Sequence, residues 1–331
     1  MDQIRLIAGD AVESMKQFDD DLIDLIIADP PYNLSKNYKS TQDNMEFEEF
    51  MDFTKSWLSE AKRILRPGGT IYVFMGMRLI SYVHIIMEQE LGLEFQNWIS
   101  WHYTQGLGKK KSFSSRHDDI LMFSKPGGNI TFNLDDIRVP QKYYRTVNNM
   151  RGANPGNVWE YSHVHYSQNN RQAHPTQKPE GVIERMILAS SNIGDLILDP
   201  FSGSGTTVRV AQQSSRNAIG IDIEESFIED TKKRLSEPFS GFDSIDERML
   251  RVPNDLNDEK IRAQYFEQHI SWFLKNHDES LGTYLMSFKE KYGNKMSEYE
   301  LDTLENIAIS NGIKLNKVNK TDLNRNNIKL F

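Results

Sequence analysis

Two consecutive prolines at the end of an apolar run constrain the fold of this chain more than any other feature. Residues 22–28 have the sequence Leu-Ile-Asp-Leu-Ile-Ile-Ala, which predicts a short, buried parallel strand. Because proline cannot donate to a strand ladder, the chain must leave the sheet at Asp29, just before Pro30 and Pro31. Asp29 is therefore expected at the carboxyl end of the strand, which is the edge where open α/β sheets bind ligands.

The groups at this point suit a flat ring that carries an exocyclic amine. Pro30 and Pro31 fix φ and lack an N–H, so the backbone carbonyls here are rigid acceptors. The Asp29 carboxylate and a carbonyl can accept the two amine hydrogens, while the ring of Tyr32 stacks on the ligand. The four residues alone are also compatible with an ordinary turn at the end of a strand.

Strand and helix patterns alternate along the chain, which predicts an α/β fold with a doubly wound sheet. Strands are predicted at 4–8, 23–28, 70–74, 94–102, 119–124, 195–198 and 217–221, and helices at 11–18, 46–65, 78–90, 179–191, 206–213 and 224–235. Residues 33–45 are predicted to form a loop and 66–69 a turn.

The alternation is lost between 126 and 173, where only short extended pieces are predicted, around 130–132 and 158–166. We therefore predict one main domain from 1–125 and 174–239, a recognition insertion at 126–173, and a helical extension at 240–331. Within the extension, helices are predicted over 258–275 and from Ser297 to Ser310.

Charge is distributed unevenly along the chain. The whole chain has a net charge of −8, yet residues 101–178 hold 11 Lys or Arg, 5 Asp or Glu and ten aromatic residues. Such a stretch in an acidic protein is typical of a local nucleic-acid-binding surface, although a solvated charged loop has the same composition. The candidates for phosphate or base contacts are Lys109, Lys110, Lys111, Arg138, Lys142, Arg145, Asn148, Asn149, Arg151 and Arg171.

The amino-acid composition argues against disulfides, metal sites and membrane association. The chain has no cysteine, so it has no disulfide and no thiolate metal site, as is common for cytoplasmic proteins. His163 and His165 lack the carboxylate partners of a metal site, and no metal is expected. We see neither an apolar run of about 18 residues nor a leader, so no membrane association is expected.

A glycine-rich turn at residues 199–207, Asp-Pro-Phe-Ser-Gly-Ser-Gly-Thr-Thr, joins a predicted strand to a predicted helix. This layout brings a ligand against backbone N–H groups, but it is not G-x-G-x-x-G and lacks the lysine of a P-loop. Asp222, nineteen residues after Gly203, ends the next predicted strand, where a carboxylate can bind the two hydroxyls of a ribose. The ligand implied is a nucleoside without a diphosphate, and a helix-capping role for Asp222 is the alternative.

Together these motifs resemble those of the S-adenosylmethionine-dependent DNA amino-methyltransferases that have an Asp-Pro-Pro-Tyr motif. The resemblance covers about residues 4–235, with the catalytic motif ahead of the glycine-rich turn, which is the permuted "beta" order of the family. It implies a Rossmann-like methyltransferase sheet with a reversed final strand near 119–124.

The resemblance also implies roles for individual residues. The catalytic motif is Asp29, Pro30, Pro31 and Tyr32, and Arg116 belongs to the target-base side of the pocket. The cofactor-binding residues are Asp10 on the adenine side, Thr176 and Lys178 near the methionine end, and Asp199, Phe201, Gly203, Gly205, Thr206, Thr207 and Asp222.

The function implied is sequence-specific methylation of double-stranded DNA, either within a restriction–modification system or by a solitary enzyme. S-adenosylmethionine is the expected donor and the N6 amine of a flipped adenine the expected acceptor. In the family, Asp at the position of Asp29 leans toward adenine and Ser toward cytosine, and Asn33 agrees with adenine. Cytosine-N4 methylation, RNA methylation and a non-catalytic DNA-binding regulator are the alternatives, and a homodimer and a cognate restriction endonuclease are left open.

Overall fold

The structure is a computed structural model that describes residues 4–33, 37–38, 41–42, 45–103, 108, 110–139, 153–161, 177–237, 285, 298–310 and 312. The chain divides into two compact units. The first unit comprises residues 1–133 and 156–246, and the second comprises 134–155 and 247–331. The domain boundaries expected from the sequence stay a prediction.

The first unit contains an eight-stranded sheet and a separate two-stranded hairpin. The strands in chain order are β1 (Ile4–Ala8), β2 (Ile23–Ala28), β3 (Asn37–Tyr38), β4 (Thr41–Gln42), β5 (Leu65–Met75), β6 (Glu94–His102), β7 (His117–Ser124), β8 (Val158–Glu160), β9 (Leu196–Asp199) and β10 (Asn217–Asp222). The large sheet has the order β1-β10-β9-β2-β5-β7-β6-β8, and β3 pairs with β4.

The first five strands of the large sheet are parallel, from β1 to β5 in its spatial order. Strand β7 runs antiparallel to both β5 and β6, so the reversed strand expected near 119–124 is confirmed. Strand β8 runs parallel to β6 and adds an edge strand from within the segment predicted as an insertion. The extended piece predicted around 130–132 forms no strand.

Helices connect the parallel strands and cover both faces of the sheet. They are α1 (Ala11–Met15), α2 (Phe47–Ile64), α3 (Ile80–Ile85) continued by a π-helical turn at Ile86–Glu90, α4 (Glu180–Ser190), α5 (Thr206–Gln213) and α6 (Glu225–Ser236). The second unit has a 3-10 turn at Leu134–Asp136 and helix α7 (Glu298–Ser310). The helix predicted over 258–275 lies outside the described residues.

The core has two apolar layers because successive strand residues point to opposite faces of the sheet. Ile26 faces a layer with α1, α2 and α3, in which Trp57 is fully buried. Leu25 and Ile27 face the other layer, which contains α4 and α5. Strands buried on both faces are nearly continuous apolar runs, as residues 23–28 are apart from Asp24, and the predicted doubly wound α/β fold is confirmed.

The turn predicted at 66–69 is instead the irregular beginning of β5. Strand β5 begins at Leu65 directly after α2, and its register with β2 shifts between Ile23 and Leu25. Gly68 has φ +76°, and a Cβ there would lie 2.3 Å from the carbonyl oxygen of Asn129. Glycine is therefore required because two backbone segments come into direct contact here.

Among the helices that the structure describes, none combines the length and the apolar character needed to span a membrane.

Candidate active site

Four acidic residues lie at one edge of the sheet because parallel strands β1, β10, β9 and β2 are neighbours. Asp29 directly follows β2, Asp199 ends β9, Asp222 ends β10, and Asp10 follows Gly9 after β1. A pocket that is open to solvent lies at this edge. Its lining residues are Ile27, Asp29, Phe74, Lys178, Ile183, Asp199, Phe201, Ser202, Gly203, Ser204, Thr206 and Thr207.

The pocket brings together residues that are far apart in the sequence. Of the predicted site residues, Asp29, Lys178, Asp199, Phe201, Gly203, Thr206 and Thr207 line it. Sequence reasoning missed Ile27, Phe74, Ile183, Ser202 and Ser204, of which Phe74 had a usable signal because it lies in the strand next to β2. Thr176 lies outside the described residues.

The Asp29 carboxylate is held from two sides. The Tyr32 hydroxyl donates a hydrogen bond of 2.8 Å to Oδ1 of Asp29. The Lys178 ammonium forms an ion pair with Oδ2. The Lys178 Nζ also lies 5.0 Å from the centroid of the Phe74 ring and 5.4 Å from that of the Tyr32 ring. The carboxylate thus lies among one ammonium and two aromatic rings.

Asn33, directly after the Asp-Pro-Pro-Tyr motif, is joined to Met45 by two hydrogen bonds. The side-chain amide of Asn33 donates to the Met45 carbonyl, and its oxygen accepts from the Met45 N–H, both at 2.8 Å. Asn33 has φ +54°, a left-handed conformation that asparagine tolerates better than most residues. Sequence reasoning used Asn33 only as an indicator of the target base and missed this structural role.

The glycine-rich turn is tied to the end of β10. The Gly203 N–H donates to Oδ2 of Asp222 at 2.7 Å, and the Glu224 N–H donates to Oδ1 at 2.9 Å. Asp222 therefore fixes the turn before α6, but it is not the helix cap of the alternative interpretation, because the N-cap of α6 is Glu224. The Asp222 carboxylate still has further acceptor positions, since two oxygens offer about four lone-pair sites.

Gly205 is the N-cap of α5 and has φ +72°. A Cβ at this position would lie 2.3 Å from Cγ2 of Thr231 on α6, which is closer than nonbonded atoms can approach. Only glycine allows the turn to pass this close to α6 while adopting the left-handed conformation.

The electrostatics of the pocket favour a cation. Asp199 is buried, and burial raises the pKa of its carboxyl to about 7, despite a hydrogen bond of 3.0 Å from the Phe201 N–H. The nearby charges of Asp29 and Asp222 raise the Asp199 pKa further, and burial also raises the pKa of Asp222. A positively charged ligand would relieve this repulsion between carboxylates.

Asp10 supports the neighbouring edge of the site. It is the N-cap of α1, and its Oδ1 accepts from the Glu13 N–H at 3.0 Å. The Gly9 N–H donates to the carbonyl oxygen of Asp222 at 2.9 Å. The two predicted cofactor carboxylates, Asp10 and Asp222, therefore follow hydrogen-bonded neighbouring strands.

A buried ion pair fixes the glycine-rich turn to the segment that carries Lys178. The Arg234 guanidinium donates to Oε1 of Glu180 at 2.7 Å and to the carbonyl oxygen of Ser204 at 2.8 Å. Arg209 forms a second ion pair with Glu180 at 3.3 Å. Glu180 is two residues from Lys178, so the network links that lysine to the turn, and sequence reasoning missed it.

Comparison with known proteins agrees with this geometry. Residues 23–233, more than half of the chain, match the family model N6_N4_Mtase, described as DNA methylase. The chain belongs to this family of DNA methylases. The family expected from the sequence motifs is therefore confirmed.

Two curated relatives cover most of the methylase. It is 58% identical over 311 residues to the Type II methyltransferase M.HpaI of Haemophilus parainfluenzae, with 93% of this chain and 99% of the relative covered. It is 36% identical over 243 residues to the DNA adenine methyltransferase YhdJ of Escherichia coli K12, with 70% of this chain and 82% of the relative covered.

Two solved structures share the fold. TTHA0409 of Thermus thermophilus, a putative DNA modification methylase complexed with S-adenosylmethionine, matches with a TM-score of 0.53 and 25% identity over 72% of this chain and 95% of that chain. The cytosine-N4-specific PvuII DNA methyltransferase matches with a TM-score of 0.57 and 20% identity over 81% of this chain and 94% of that chain.

The predicted DNA-contacting residues of the methylase are only partly described. Lys110, Lys111 and Arg116 are exposed in the connection between β6 and β7. Arg138, in the second unit, forms an ion pair of 2.7 Å with Asp135. Lys109, Lys142, Arg145, Asn148, Asn149, Arg151, Arg171, His163 and His165 lie outside the described residues. Within the described part of the chain, no group of three or more His, Cys, Asp or Glu side chains could hold a metal ion.

Proposed function

We propose that this methylase transfers a methyl group from S-adenosylmethionine to the N6 amine of an adenine flipped out of double-stranded DNA. One observation carries the proposal. The carboxylate of Asp29, which suits an exocyclic amine, lines the same pocket as the glycine-rich turn, which suits the cofactor. A methyl donor and an amine acceptor bound at these two places would be neighbours.

S-adenosylmethionine is the cofactor of this family, and it supplies a methyl group activated by a sulfonium. The pocket fits such a ligand in its charge, because Asp199 and Asp222 both carry carboxyls whose pKa burial has raised. Ser202, which lines the pocket, has a buried Oγ without a hydrogen-bond partner among the described residues. We assign the ribose hydroxyls to Asp222 and the adenine side to Asp10. The remaining proposed cofactor contacts are Thr176, Phe201, Gly203, Gly205, Thr206 and Thr207.

Asp29 and the Pro30 carbonyl activate the amine. The lone pair of an adenine amine is delocalised into the ring, so the amine is a poor nucleophile. When Asp29 and the Pro30 carbonyl accept hydrogen bonds from its two N–H groups, the nitrogen becomes more pyramidal and more electron-rich. Transfer would form the N–C bond as the S–C bond breaks, with S-adenosylhomocysteine as the leaving group, and the methylated nitrogen would lose one proton to solvent. No covalent enzyme intermediate is required, which agrees with a chain that has no cysteine. Alignment of the two reactants is worth about 7–11 kcal/mol in well-oriented systems, so positioning supplies most of the rate.

Tyr32 has two roles in this proposal. A base cannot be reached inside a duplex, and flipping it costs a few kcal/mol. Stacking on an aromatic ring such as that of Tyr32 is worth about 1–3 kcal/mol and offsets part of this cost. The Tyr32 hydroxyl also donates to Oδ1 of Asp29, so it orients the carboxylate that accepts the amine.

Adenine is supported by the residues and by one relative. In the family that the motifs resemble, Asp at the position of Asp29 leans toward adenine. The relative YhdJ, 36% identical over 70% of this chain, is named a DNA adenine methyltransferase. A solitary enzyme and a member of a restriction–modification system are both compatible with these features. A homodimer, a cognate endonuclease and the DNA contacts of Lys109, Lys110, Lys111 and Arg116 stay predictions.

Replacing Asp29 tests the proposed role of the carboxylate. We expect Asp29→Ala to abolish methyl transfer while the affinity for S-adenosylmethionine, measured by calorimetry, stays near that of the wild type. Asp230→Ala is a matched control, because Asp230 is a carboxylate on α6 that pairs only with exposed Lys233 in the ion pairs described. Retained turnover in Asp29→Ala would refute the assignment.

A further inference from the structure

We propose that Lys178 is a positioning residue for the Asp29 carboxylate and not a ligand of the cofactor. The family resemblance assigns Lys178 to the methionine end of the cofactor site. In the structure its ammonium is instead paired with Oδ2 of Asp29. The inference rests on the proposed function, since it takes Asp29 to be the acceptor of the amine.

The two oxygens of Asp29 have different partners. Oδ1 accepts from the Tyr32 hydroxyl, and Oδ2 faces the Lys178 ammonium. A carboxylate with a partner on each oxygen cannot rotate about its bond to Cβ without losing one of them. Each oxygen keeps a second lone pair, so Asp29 can accept an N–H of the base while both partners remain.

The position of the ammonium is itself determined by its surroundings. The Lys178 side chain is 11% exposed, and its Nζ lies 5.0 Å from the Phe74 ring centroid and 5.4 Å from that of Tyr32. Both distances are within the range at which a cation is attracted to an aromatic ring. The rings therefore favour a cation at this place and hold it against Asp29.

The backbone of Lys178 is anchored on the other side. Its carbonyl oxygen accepts from the Thr206 hydroxyl at 3.3 Å, at the first turn of α5. Pro179 follows as the N-cap of α4, and Glu180 is held by Arg234 at 2.7 Å. Lys178 thus contacts Asp29 from a segment that is fixed to the glycine-rich turn. It therefore connects the Asp-Pro-Pro-Tyr motif to that turn.

Replacing the Lys178 ammonium distinguishes a role in orienting Asp29 from a role in binding the cofactor. If Lys178 orients Asp29, Lys178→Met lowers kcat by about 100-fold, the loss expected when a reacting group is misplaced by about 1 Å. The dissociation constant for S-adenosylmethionine and the KM for DNA stay near the wild-type values. Lys178→Arg restores much of kcat, because it keeps a cation that can pair with Asp29 and stack on the rings. Lys232→Met, which removes an exposed lysine from α6, is the control for the loss of a charge.

Three outcomes would overturn the inference. A large loss of cofactor affinity with kcat unchanged at saturating cofactor would make Lys178 a cofactor ligand. Equal values of kcat for Lys178→Met and Lys178→Arg would make its role one of packing and not of charge. A wild-type kcat in Lys178→Met would show that Asp29 needs no such partner.

A second measurement uses the free protein and does not depend on turnover. The melting temperatures of Asp29→Asn, Lys178→Met and the double variant form a cycle. For a direct ion pair, the shift in the double variant is smaller than the sum of the two single shifts. Additive shifts would contradict the pair. If Asp29→Ala kept its activity, the proposed function would fail while this cycle would still report whether the pair exists.

Discussion

Gly205→Ala tests the geometry of the glycine-rich turn most sharply. Gly205 has φ +72°, and an added Cβ would lie 2.3 Å from Cγ2 and 2.5 Å from Oγ1 of Thr231. The substitution therefore has two separate costs, one for the left-handed backbone and one for the collision with α6.

The two costs can be estimated separately. A non-glycine residue in the left-handed region costs about 1–2 kcal/mol. Extra atoms in a well-packed region cost about 1–3 kcal/mol more. We therefore expect Gly205→Ala to lower the free energy of unfolding by about 2–5 kcal/mol. Gly194 is a matched control because it has φ +87° and nothing lies within 4 Å of an added Cβ, so Gly194→Ala has only the backbone cost.

Unfolding in denaturant and calorimetric titration with S-adenosylmethionine measure the two consequences. Gly205→Ala should lose both stability and cofactor affinity, while Gly194→Ala should lose a smaller amount of stability and keep its affinity. Thr231→Ala should recover part of the loss in the Gly205→Ala background, because it removes the two closest atoms and leaves Cβ at 2.9 Å. Equal losses in the two glycine variants would refute the proposed collision.

Three further predictions concern the pH dependence, the aromatic ring and the DNA contacts. The native pKa of Asp199, about 7, lies above the ordinary value of 3.8, so the native state keeps a proton between these values. The contribution of Asp199 to the free energy of unfolding therefore falls as the pH rises from 3.8 to about 7. Over the same range S-adenosylmethionine, a cation, binds more tightly because Asp199 becomes ionised. Tyr32→Ala should lower methyl transfer more than Tyr32→Phe, which keeps the ring but loses the hydroxyl that donates to Asp29, a hydrogen bond worth about 1.5–3 kcal/mol for a charged acceptor. Lys110→Ala and Lys111→Ala should each weaken binding to all DNA sequences and reduce the salt slope by about 1.

Each of these predictions has a control and a contradicting result. In Asp199→Asn both pH dependences should become shallower, and an unchanged profile would contradict the role of Asp199. Equal losses in Tyr32→Ala and Tyr32→Phe would argue against stacking of the base. Lys232→Ala is the control for the two loop lysines, and a salt slope unaffected in Lys110→Ala and Lys111→Ala would remove them from the DNA contacts.

Local patterns in the sequence were sufficient to predict most of the fold. Continuous apolar runs such as 25–28 predict strands that are buried on both faces, and this holds because helices cover both faces of the sheet. Strand β8 was predicted only as part of an extended piece around 158–166. Its three residues, Val158–Glu160, are too few to show a period, and their pairing with β6 could not be predicted from them. Pairing between distant segments leaves little trace in a local pattern.

The same distinction applies to the site. The residues of the glycine-rich turn could be predicted because their spacing reflects a local strand–turn–helix geometry. The contact between Lys178 and Asp29 joins residues 149 positions apart, and the Glu180–Arg234 pair joins residues 54 positions apart. The sequence identified Lys178 as a site residue but did not indicate its contact with Asp29, and Glu180, at the first turn of a helix, looks like an ordinary surface residue until the fold buries it.

Transfer of labelled methyl groups from S-adenosylmethionine to unmethylated duplex DNA, followed by analysis of the nucleosides, tests the central claim most directly. We predict that the label appears in N6-methyl-2′-deoxyadenosine, and that Asp29→Ala transfers none. Label in N4-methylcytosine would keep the amine chemistry of Asp29 but contradict the proposed base. If the protein binds S-adenosylmethionine but transfers no label to the DNA, the claim that duplex DNA is its substrate would be contradicted.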